Sequence, residues 1–262
     1  MSSPDALYFW GQPDALINWC ERDHSQSAVI AEFCNALSNA FFIFAGLLAL
    51  RLGNKHAMPA TYRLAAHSIL LTGASSFLFH ASLRWWLQKL DEVFETILVL
   101  AVFHGFESKP HLLRLHIGAA VVGILLIPAW FCELHLVGIA LLAFAQLRSL
   151  GWHLLRDEPA LYFSLFGGIR DCFLVAGAAW LIDRVACEQL QRLPGNLPNP
   201  QLHAFGWHLF CALGISQTML ALCVLQLKRR PVHPFHARRV RLARLLGFVP
   251  FGVEADLKSP FD

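Results

Sequence analysis

Long apolar stretches, each close to the length of a membrane-spanning helix, alternate with short polar segments along most of this chain of 262 residues. A helix needs about 20 mainly apolar residues to cross a bilayer. The connections between the stretches are short, which favours a bundle in which helices adjacent in sequence are also neighbours in space. The pattern predicts an all-α bundle of seven transmembrane helices, at residues 30–51, 63–83, 88–107, 113–131, 134–153, 161–183 and 203–227.

Composition supports the membrane class. Hydrophobic residues make up 56% of the chain and charged residues only 15%, against about 25% charged in a typical soluble domain. No repeat or linker divides the chain, so we expect one membrane domain over residues 1–262. It would comprise an extramembrane segment (1–29), the bundle (30–227) and a basic tail (228–262). We expect an integral, multi-pass membrane protein with no nucleic-acid partner. Neither a protein partner nor the choice between a bacterial inner membrane and a eukaryotic endomembrane follows from the sequence.

Lysine and arginine placement predicts the orientation. Cytoplasmic segments carry an excess of these residues, and seven of them lie between residues 228 and 244. The C-terminal tail is therefore predicted to be cytoplasmic, and seven spans then put the N-terminus outside. Residues 1–28 lack the apolar core of a cleavable signal peptide, so the first span would have to translocate this segment itself.

Histidine and carboxylate residues gather at the predicted outer ends of three spans. His80 ends the second span, Asp91 lies near the start of the third, and His203 and His208 lie at the start of the seventh. Three histidines with an open fourth position are a typical catalytic zinc site, in which a coordinated water has a pKa of about 7. Ser76 precedes His80 by one helical turn, and Asp91 is a candidate general base.

A second polar cluster precedes the first span and differs in its chemistry. Asn18, Glu21, Asp23 and Glu32 offer oxygen atoms, and the carbonyl of Trp19 adds another. Oxygen ligands of this kind suit calcium. Without further information, a solvated acidic loop is the simpler interpretation of the cluster.

Two cysteines fall in segments predicted to lie outside. Cys20 belongs to the N-terminal segment and Cys187 follows the sixth span. Disulfides form in oxidising compartments. A bond between these two residues is therefore one hypothesis, and two free thiols are the alternative.

Arg170 and Asp171 are charged residues in the middle of the sixth span. Because adjacent helical residues point in different directions, we expect each to face another helix or a water-filled cavity, and Glu95 and His104 on the third span are candidate partners.

Several blocks of the sequence resemble the alkaline ceramidase family, part of a wider group of seven-helix membrane hydrolases that includes adiponectin-receptor-like proteins. The resemblance extends from about residue 14 to 227 with the blocks in the same order. The blocks are NWCE at 18–21, IAEF at 30–33 with Asn35, Ser38 and Asn39, FHASL at 79–83, QKLDE at 88–92, WLIDR at 180–184 with Cys187, HA at 203–204 and WHL at 207–209.

The resemblance implies zinc-dependent hydrolysis of the amide bond of a ceramide-like membrane lipid to a sphingoid base and a free fatty acid. It implies that His80, His203 and His208 bind zinc, with Ser76 and Asp91 beside the metal. The calcium ligands would be Asn18, Trp19 through its carbonyl, Glu21, Asp23 and Glu32. The alternative is a non-catalytic lipid-binding or receptor-like bundle with a structural metal. Asp91 and Ser76 favour the hydrolase, since structural zinc sites normally have four protein ligands.

Two positions depart from the family pattern. The family usually has aspartate where this chain has Asn18 and asparagine where it has Asp23, so the two residue types are exchanged. The last two histidines of the family are four residues apart, whereas His203 and His208 are five apart. Five residues turn by about 140° around an α-helix. Two arrangements would still bring both side chains together: a π-bulge near Gly206, or a helix that begins after His203.

Overall fold

The computed structural model describes residues 9–107, 110–126, 132–193, 199–230, 238–245 and 249–257. Two helical segments in these ranges are π-helical, Tyr162–Phe166 and Leu202–His208. Two strands near the C-terminus are β1 (Arg238–Leu245) and β2 (Val249–Leu257). The α-helices are α1 (Phe33–Ser38), α2 (Ala40–Lys55), α3 (Ala60–Ser82), α4 (Trp85–Glu107), α5 (Pro110–Leu126), α6 (Cys132–Asp157), α7 (Pro159–Leu161), α8 (Gly167–Val185), α9 (Cys187–Gln191) and α10 (Leu209–Arg229).

The long helical segments overlap the predicted spans, and residues 127–131 of the fourth span lie outside the described residues. Within the part of the chain that the structure describes, three helices are long and apolar enough to cross a membrane. They are Phe33–Lys55, Ala60–Ser82 and Leu202–Arg229. The helical class of the bundle is thus confirmed, while crossing by all seven segments and the orientation of the termini stay predictions.

Close helix packing builds the centre of the bundle. Helix α3 lies along both α2 and α4, and α10 packs against α2 and α8. Small residues allow membrane helices to approach closely. A Cβ atom on Gly46 of α2 would lie 2.7 Å from Leu70 of α3, and one on Gly73 would lie 3.0 Å from Phe42. These two glycines therefore set the short distance between α2 and α3, and α3 carries Ser76 and His80.

The N-terminal segment lies across the ends of α3 and α4. The amide of Ala31 donates to the carbonyl of Ala81 (3.0 Å), and the amide of Asp14 donates to the carbonyl of Leu83 (3.0 Å). Leu83 has a left-handed conformation (φ 50°) and ends α3. The Asp14 carboxylate accepts the amide of Trp85 at 2.7 Å, which caps the start of α4. These bonds hold the described part of the N-terminal segment, from residue 9 onward, against the end of the bundle at which the polar residues gather.

The C-terminal region contains a β-hairpin that the sequence analysis did not predict. Strands β1 and β2 are antiparallel, with Arg238 opposite Leu257 and an irregularity between Ala243 and Arg244. Residues 239–242 alternate between arginine and apolar residues, a period of two that is typical of a strand. The basic residues were interpreted only as a signal for orientation, so this alternation was missed.

The pairing expected for Arg170 and Asp171 is wrong. Their side chains pair with each other, with 2.8 Å between Nε and Oδ1, and both are more than half exposed. Helix geometry directs the two side chains apart at Cβ, but the arginine side chain is long enough to fold back onto the neighbouring carboxylate. His104 contacts His116 instead, with 2.8 Å between Nε2 and Nδ1.

Candidate metal centre

Three buried histidines meet at one end of the bundle. One nitrogen each from His80, His203 and His208 lies within 4.8 Å of the other two. The ring centroids are 4.6 Å apart for His203 and His208 and 5.2 Å from each of these to His80. None of the three residues is more than 3% exposed. Imidazole groups gathered in this way, away from water, are compatible with a bound metal.

A π-helical turn solves the spacing problem of the last two histidines. Residues Leu202–His208 are π-helical, and α10 continues from Leu209. The hydrogen bonds of a π-helix join residues five apart, so His203 and His208 lie one above the other rather than 140° apart. Of the two arrangements considered from the sequence, the structure has the π-helical one.

Gly206 lets this turn approach α8. A Cβ atom at Gly206 would overlap with the Cβ atom of Ala179 in α8. Glycine has no Cβ, so two backbones can approach more closely at this position than with any other residue. The turn that carries both histidines therefore packs closely against α8.

Each histidine ring also contacts a residue from the N-terminal third of the chain. The Glu32 carboxylate is within hydrogen-bonding distance of Nδ1 of His80. Ser38 Oγ lies 2.7 Å from Nδ1 of His208. The Trp19 ring stacks on His203, with 3.9 Å between centroids and 25° between planes. The contact of Ser38 was not predicted, and only the family block around residues 30–39 pointed to this region.

Ser76 and Asp91 are brought together between α3 and α4. The Asp91 carboxylate accepts a hydrogen bond from the hydroxyl group of Ser76. Ser75 Oγ lies 3.4 Å from Oδ1 of Asp91, but its hydroxyl proton has a closer acceptor in the carbonyl of Leu71, at 2.7 Å. His80 lies one turn beyond Ser76 on α3. Ser76 was predicted from the sequence and Ser75 was not, although the two serines are adjacent. The carboxylate thus has one hydroxyl donor and a second hydroxyl group nearby, both on the helix that also carries the first histidine.

The oxygen-bearing residues of the N-terminal segment are linked but less tightly gathered than the histidines. Asn18 donates to the Asp23 carboxylate (3.0 Å), and the amide of Trp19 donates to that of Glu32 (2.8 Å). Glu21 accepts the amides of two residues at the start of α1. Among the described residues, the three histidines are the only group of three or more His, Cys, Asp or Glu side chains whose ligand atoms all lie within 4.8 Å of one another.

Cys20 joins the N-terminal segment to the region after α8. It forms a disulfide with Cys187, with 5.1 Å between the Cα atoms. The amide of Cys20 donates to the Asp183 carboxylate (3.1 Å), and its carbonyl accepts the side chain of Gln191 (2.9 Å). Asp183 also accepts the backbone amide of His203. Asp183 lies in one of the blocks that resemble the family, but it was not predicted to be a site residue. It links Cys20 to the turn that carries two of the histidines.

Comparison with known proteins identifies the group to which this chain belongs. Fold and site together define a mainly helical membrane protein with a buried three-histidine cluster that is compatible with a metal. A family model described as Ceramidase matches residues 11–239. The chain belongs to the alkaline ceramidase family.

Relatives from three eukaryotes cover most of the chain. An "Alkaline ceramidase" of Arabidopsis thaliana is 27% identical over 226 residues, which are 82% of this chain and 86% of the relative. The mouse "Alkaline ceramidase 3" is 27% identical over 228 residues, 80% of this chain and 83% of the relative. An "Alkaline ceramidase" of Drosophila melanogaster is 27% identical over 223 residues, with coverages of 79% and 75%.

Proposed function

We propose that this protein hydrolyses the amide bond of a ceramide-like membrane lipid and releases a sphingoid base and a free fatty acid. The observation that carries the proposal is the buried cluster of His80, His203 and His208, in a chain that belongs to the alkaline ceramidase family. Relatives that cover about four fifths of the chain are named as ceramidases.

The histidine cluster fits zinc. Its ligands would be three neutral imidazoles, a set found in catalytic zinc sites. Nδ1 of His203 is buried and makes no hydrogen bond within the described part of the chain, so the cluster contains a nitrogen atom whose bonding capacity is unused. When bound, zinc acts as a Lewis acid, which makes water a nucleophile at neutral pH and polarises a carbonyl oxygen.

The other residues handle the proton and the carbonyl oxygen. The oxygen of water attacks the amide carbon, and a carboxylate oxygen of Asp91 accepts the proton that this water loses. Asp91 then donates this proton to the amide nitrogen as the carbon–nitrogen bond breaks. The hydroxyl group of Ser76 holds the Asp91 carboxylate in place. When the substrate is bound, Ser76 can instead donate to the negative charge that develops on the carbonyl oxygen.

The N-terminal segment braces this site. We propose that Asn18, the carbonyl of Trp19, Glu21, Asp23 and Glu32 bind calcium, since all five offer oxygen atoms.

The Cys20–Cys187 disulfide also holds this segment, by joining it to the region after α8. With seven spans, the site, the segment and the disulfide lie at the outer face and the basic tail is cytoplasmic. Non-reducing mass spectrometry should find these two cysteines bonded, and two free thiols would contradict the disulfide.

Zinc content and lipid hydrolysis, measured on the same purified protein, test the proposal. The wild type should contain about one zinc ion per chain and release fatty acid from members of a ceramide panel. His80→Ala should lose both properties. His67→Ala is the matched control, because His67 is an exposed histidine on the same helix and its loss should change neither. His203→Ala and His208→Ala should behave like His80→Ala.

The outcomes separate the hydrolase from the non-catalytic alternative. A wild-type protein that contains zinc and binds ceramide, but releases no fatty acid, would be a lipid-binding bundle with a structural metal. Full activity in His203→Ala would show that the five-residue spacing does not supply two ligands. Activity without zinc would contradict the proposed chemistry.

A further inference from the structure

The hydrogen bonds of Ser38 determine where its hydroxyl proton points. Ser38 is the last residue of α1 and is buried. Its Oγ atom lies 3.0 Å from the carbonyl oxygen of Asn35 and 2.7 Å from Nδ1 of His208. A carbonyl oxygen can only accept, so the hydroxyl proton must point to Asn35 if that bond is to form. A lone pair of Oγ then faces His208, and Nδ1 of His208 is the donor.

This arrangement selects one of the two neutral tautomers of His208. A neutral imidazole carries its proton on one nitrogen and has a lone pair on the other. With the proton on Nδ1, the lone pair is on Nε2, where it can bind a metal. The carbonyl of Asn35 is also a hydrogen-bond partner of His208, and it too requires a donor on the ring. The edge of His208 further packs against Phe42, which restricts rotation of the ring.

The three histidines are supported in different ways. The Glu32 carboxylate, an acceptor when ionised, gives His80 the same tautomer as His208. His203 has no equivalent bond within the described residues, and its ring is held by stacking on Trp19. Ser38 is thus the neutral hydrogen-bonding partner among these supports, since Trp19 contacts His203 by stacking. It offers one hydroxyl, with no charge and no other assigned role, so its contribution can be isolated by mutation.

We propose that Ser38 is a positioning residue of the metal centre, which holds His208 as the Nδ1-protonated tautomer with Nε2 directed into the cluster. This inference rests on the metal binding proposed above. Partners that orient a ligating histidine in this way typically change metal affinity by about 10- to 100-fold when they are lost. Residues at the end of α1 would therefore determine affinity although they do not contact the metal.

Zinc affinity, measured by competition with a chromogenic chelator, tests this role without any need for activity. Ser38→Ala should weaken zinc binding by about 10- to 100-fold. Ser38→Thr keeps the hydroxyl and should restore the affinity of the wild type. Ser216→Ala is the control, because Ser216 is a helical serine whose hydroxyl donates to the Ala212 carbonyl one turn earlier. It should bind zinc as the wild type does.

Each result either supports or overturns the inference. Wild-type affinity in Ser38→Ala, with zinc present in the wild type, overturns the role of Ser38 and leaves the metal centre standing. Equal losses in Ser38→Ala and Ser38→Thr show that the hydroxyl is not responsible and also overturn it. A wild type without zinc overturns the metal centre and this inference together. If Ser38→Ala does not fold, Ser38→Cys replaces it, since a thiol keeps the size but accepts hydrogen bonds weakly. It should show the same loss, and wild-type affinity in Ser38→Cys would overturn the inference.

Discussion

Asp91 illustrates how much a single side chain depends on its neighbours. The hydroxyl group of Ser76 donates to its carboxylate and Ser75 Oγ lies 3.4 Å from it, so the group is held at the junction of α3 and α4 instead of being free to rotate. The adjacent Glu92 does something different: it pairs with Lys89, with 2.7 Å between Nζ and Oε2. Two neighbouring carboxylates therefore have separate environments, and only Asp91 has the hydroxyl contacts that suit a proton carrier.

Asp91→Asn should keep zinc and lose most of its turnover. An amide can accept the hydroxyl hydrogen bonds but cannot accept a proton, and general acid–base groups typically contribute about 100- to 10,000-fold to the rate. Turnover and zinc content of the same preparation check this expectation. Asp171→Asn, at an exposed carboxylate of α8, is the control. Near-normal turnover of Asp91→Asn at every pH would make Asp91 a structural residue.

At the scale of elements, the π-helical turn is the feature on which the site depends most. The spacing of His203 and His208 indicated that a regular α-helix could not present both. It did not indicate whether the helix would bulge or begin later. The choice follows from packing, because Gly206 must lie against Ala179 of α8 while Asp183 of the same helix holds the amide of His203.

Gly206→Ala should weaken zinc binding and hydrolysis by disturbing this turn. The added methyl group would overlap with Ala179, so either the turn or α8 must move. Gly177→Ala is a matched control, because a Cβ atom at Gly177 of α8 meets no atom within 4 Å. The double variant with Ala179→Gly removes the overlap and should recover part of the zinc affinity. Unchanged affinity in Gly206→Ala would show that the close approach does not matter for the site.

At the scale of the whole molecule, the N-terminal segment connects parts of the bundle that are far apart in sequence. It is bonded to the ends of α3 and α4 and, through Cys20, to the region after α8. Glu32, Ser38 and Trp19 contact one histidine each. The segment and the short first helix therefore cover the histidine cluster and complete its surroundings.

Calcium should raise the melting temperature if it binds in this segment. A ligand stabilises the folded state by about 2.7 kcal/mol when its concentration is 100 times its dissociation constant. Titration of a chelated sample from micromolar to millimolar calcium measures the effect. Asp23→Ala should abolish it, and this exposed residue is preferable to Glu32, which also contacts His80. Glu188→Ala, at an exposed site on α9, is the control. A melting temperature indifferent to calcium would contradict the site.

The opposite end of the bundle has an ion pair that should make stability depend on pH. Arg156 and Arg229 hold the pKa of the Asp157 carboxyl well below its usual range, chiefly through the hydrogen bond from Arg156. The Arg229–Asp157 distance is 3.0 Å and links α10 to the end of α6. Because the pKa is lower in the folded state, the pair stabilises the protein above the unfolded value of about 3.9 and loses this effect as the pH falls further.

Asp157→Asn should therefore lower the free energy of unfolding near neutral pH by up to about 1 kcal/mol, as for other partly exposed ion pairs. The difference from the wild type should shrink once the pH falls below about 4. Thermal or denaturant unfolding of both proteins across this range measures it. A difference that stays constant from pH 7 to pH 3 would show that the charge of Asp157 is not its cause.

Local properties of the sequence determined the class of this protein and most of its candidate site. Hydrophobic length predicted where the long helices lie, because a segment that must satisfy its own backbone hydrogen bonds in lipid becomes a helix wherever it is found. The positions of His80, Asp91 and His203 at helix ends followed from the same pattern. Resemblance to a family then connected fragments that periodicity could only place one at a time.

Tertiary structure alone decided how these fragments complete one another. Ser38 and His208 are 170 residues apart, and Cys20 and Asp183 are 163 apart, so neither contact has a local signature. The π-helical turn depends on how closely α8 approaches, and the pairing of Arg170 with Asp171 depends on side-chain flexibility. Contacts of this kind depend on the packing of whole helices, in which every neighbour limits the others. A pattern read along the chain contains periods and spacings, but not the distances between distant segments.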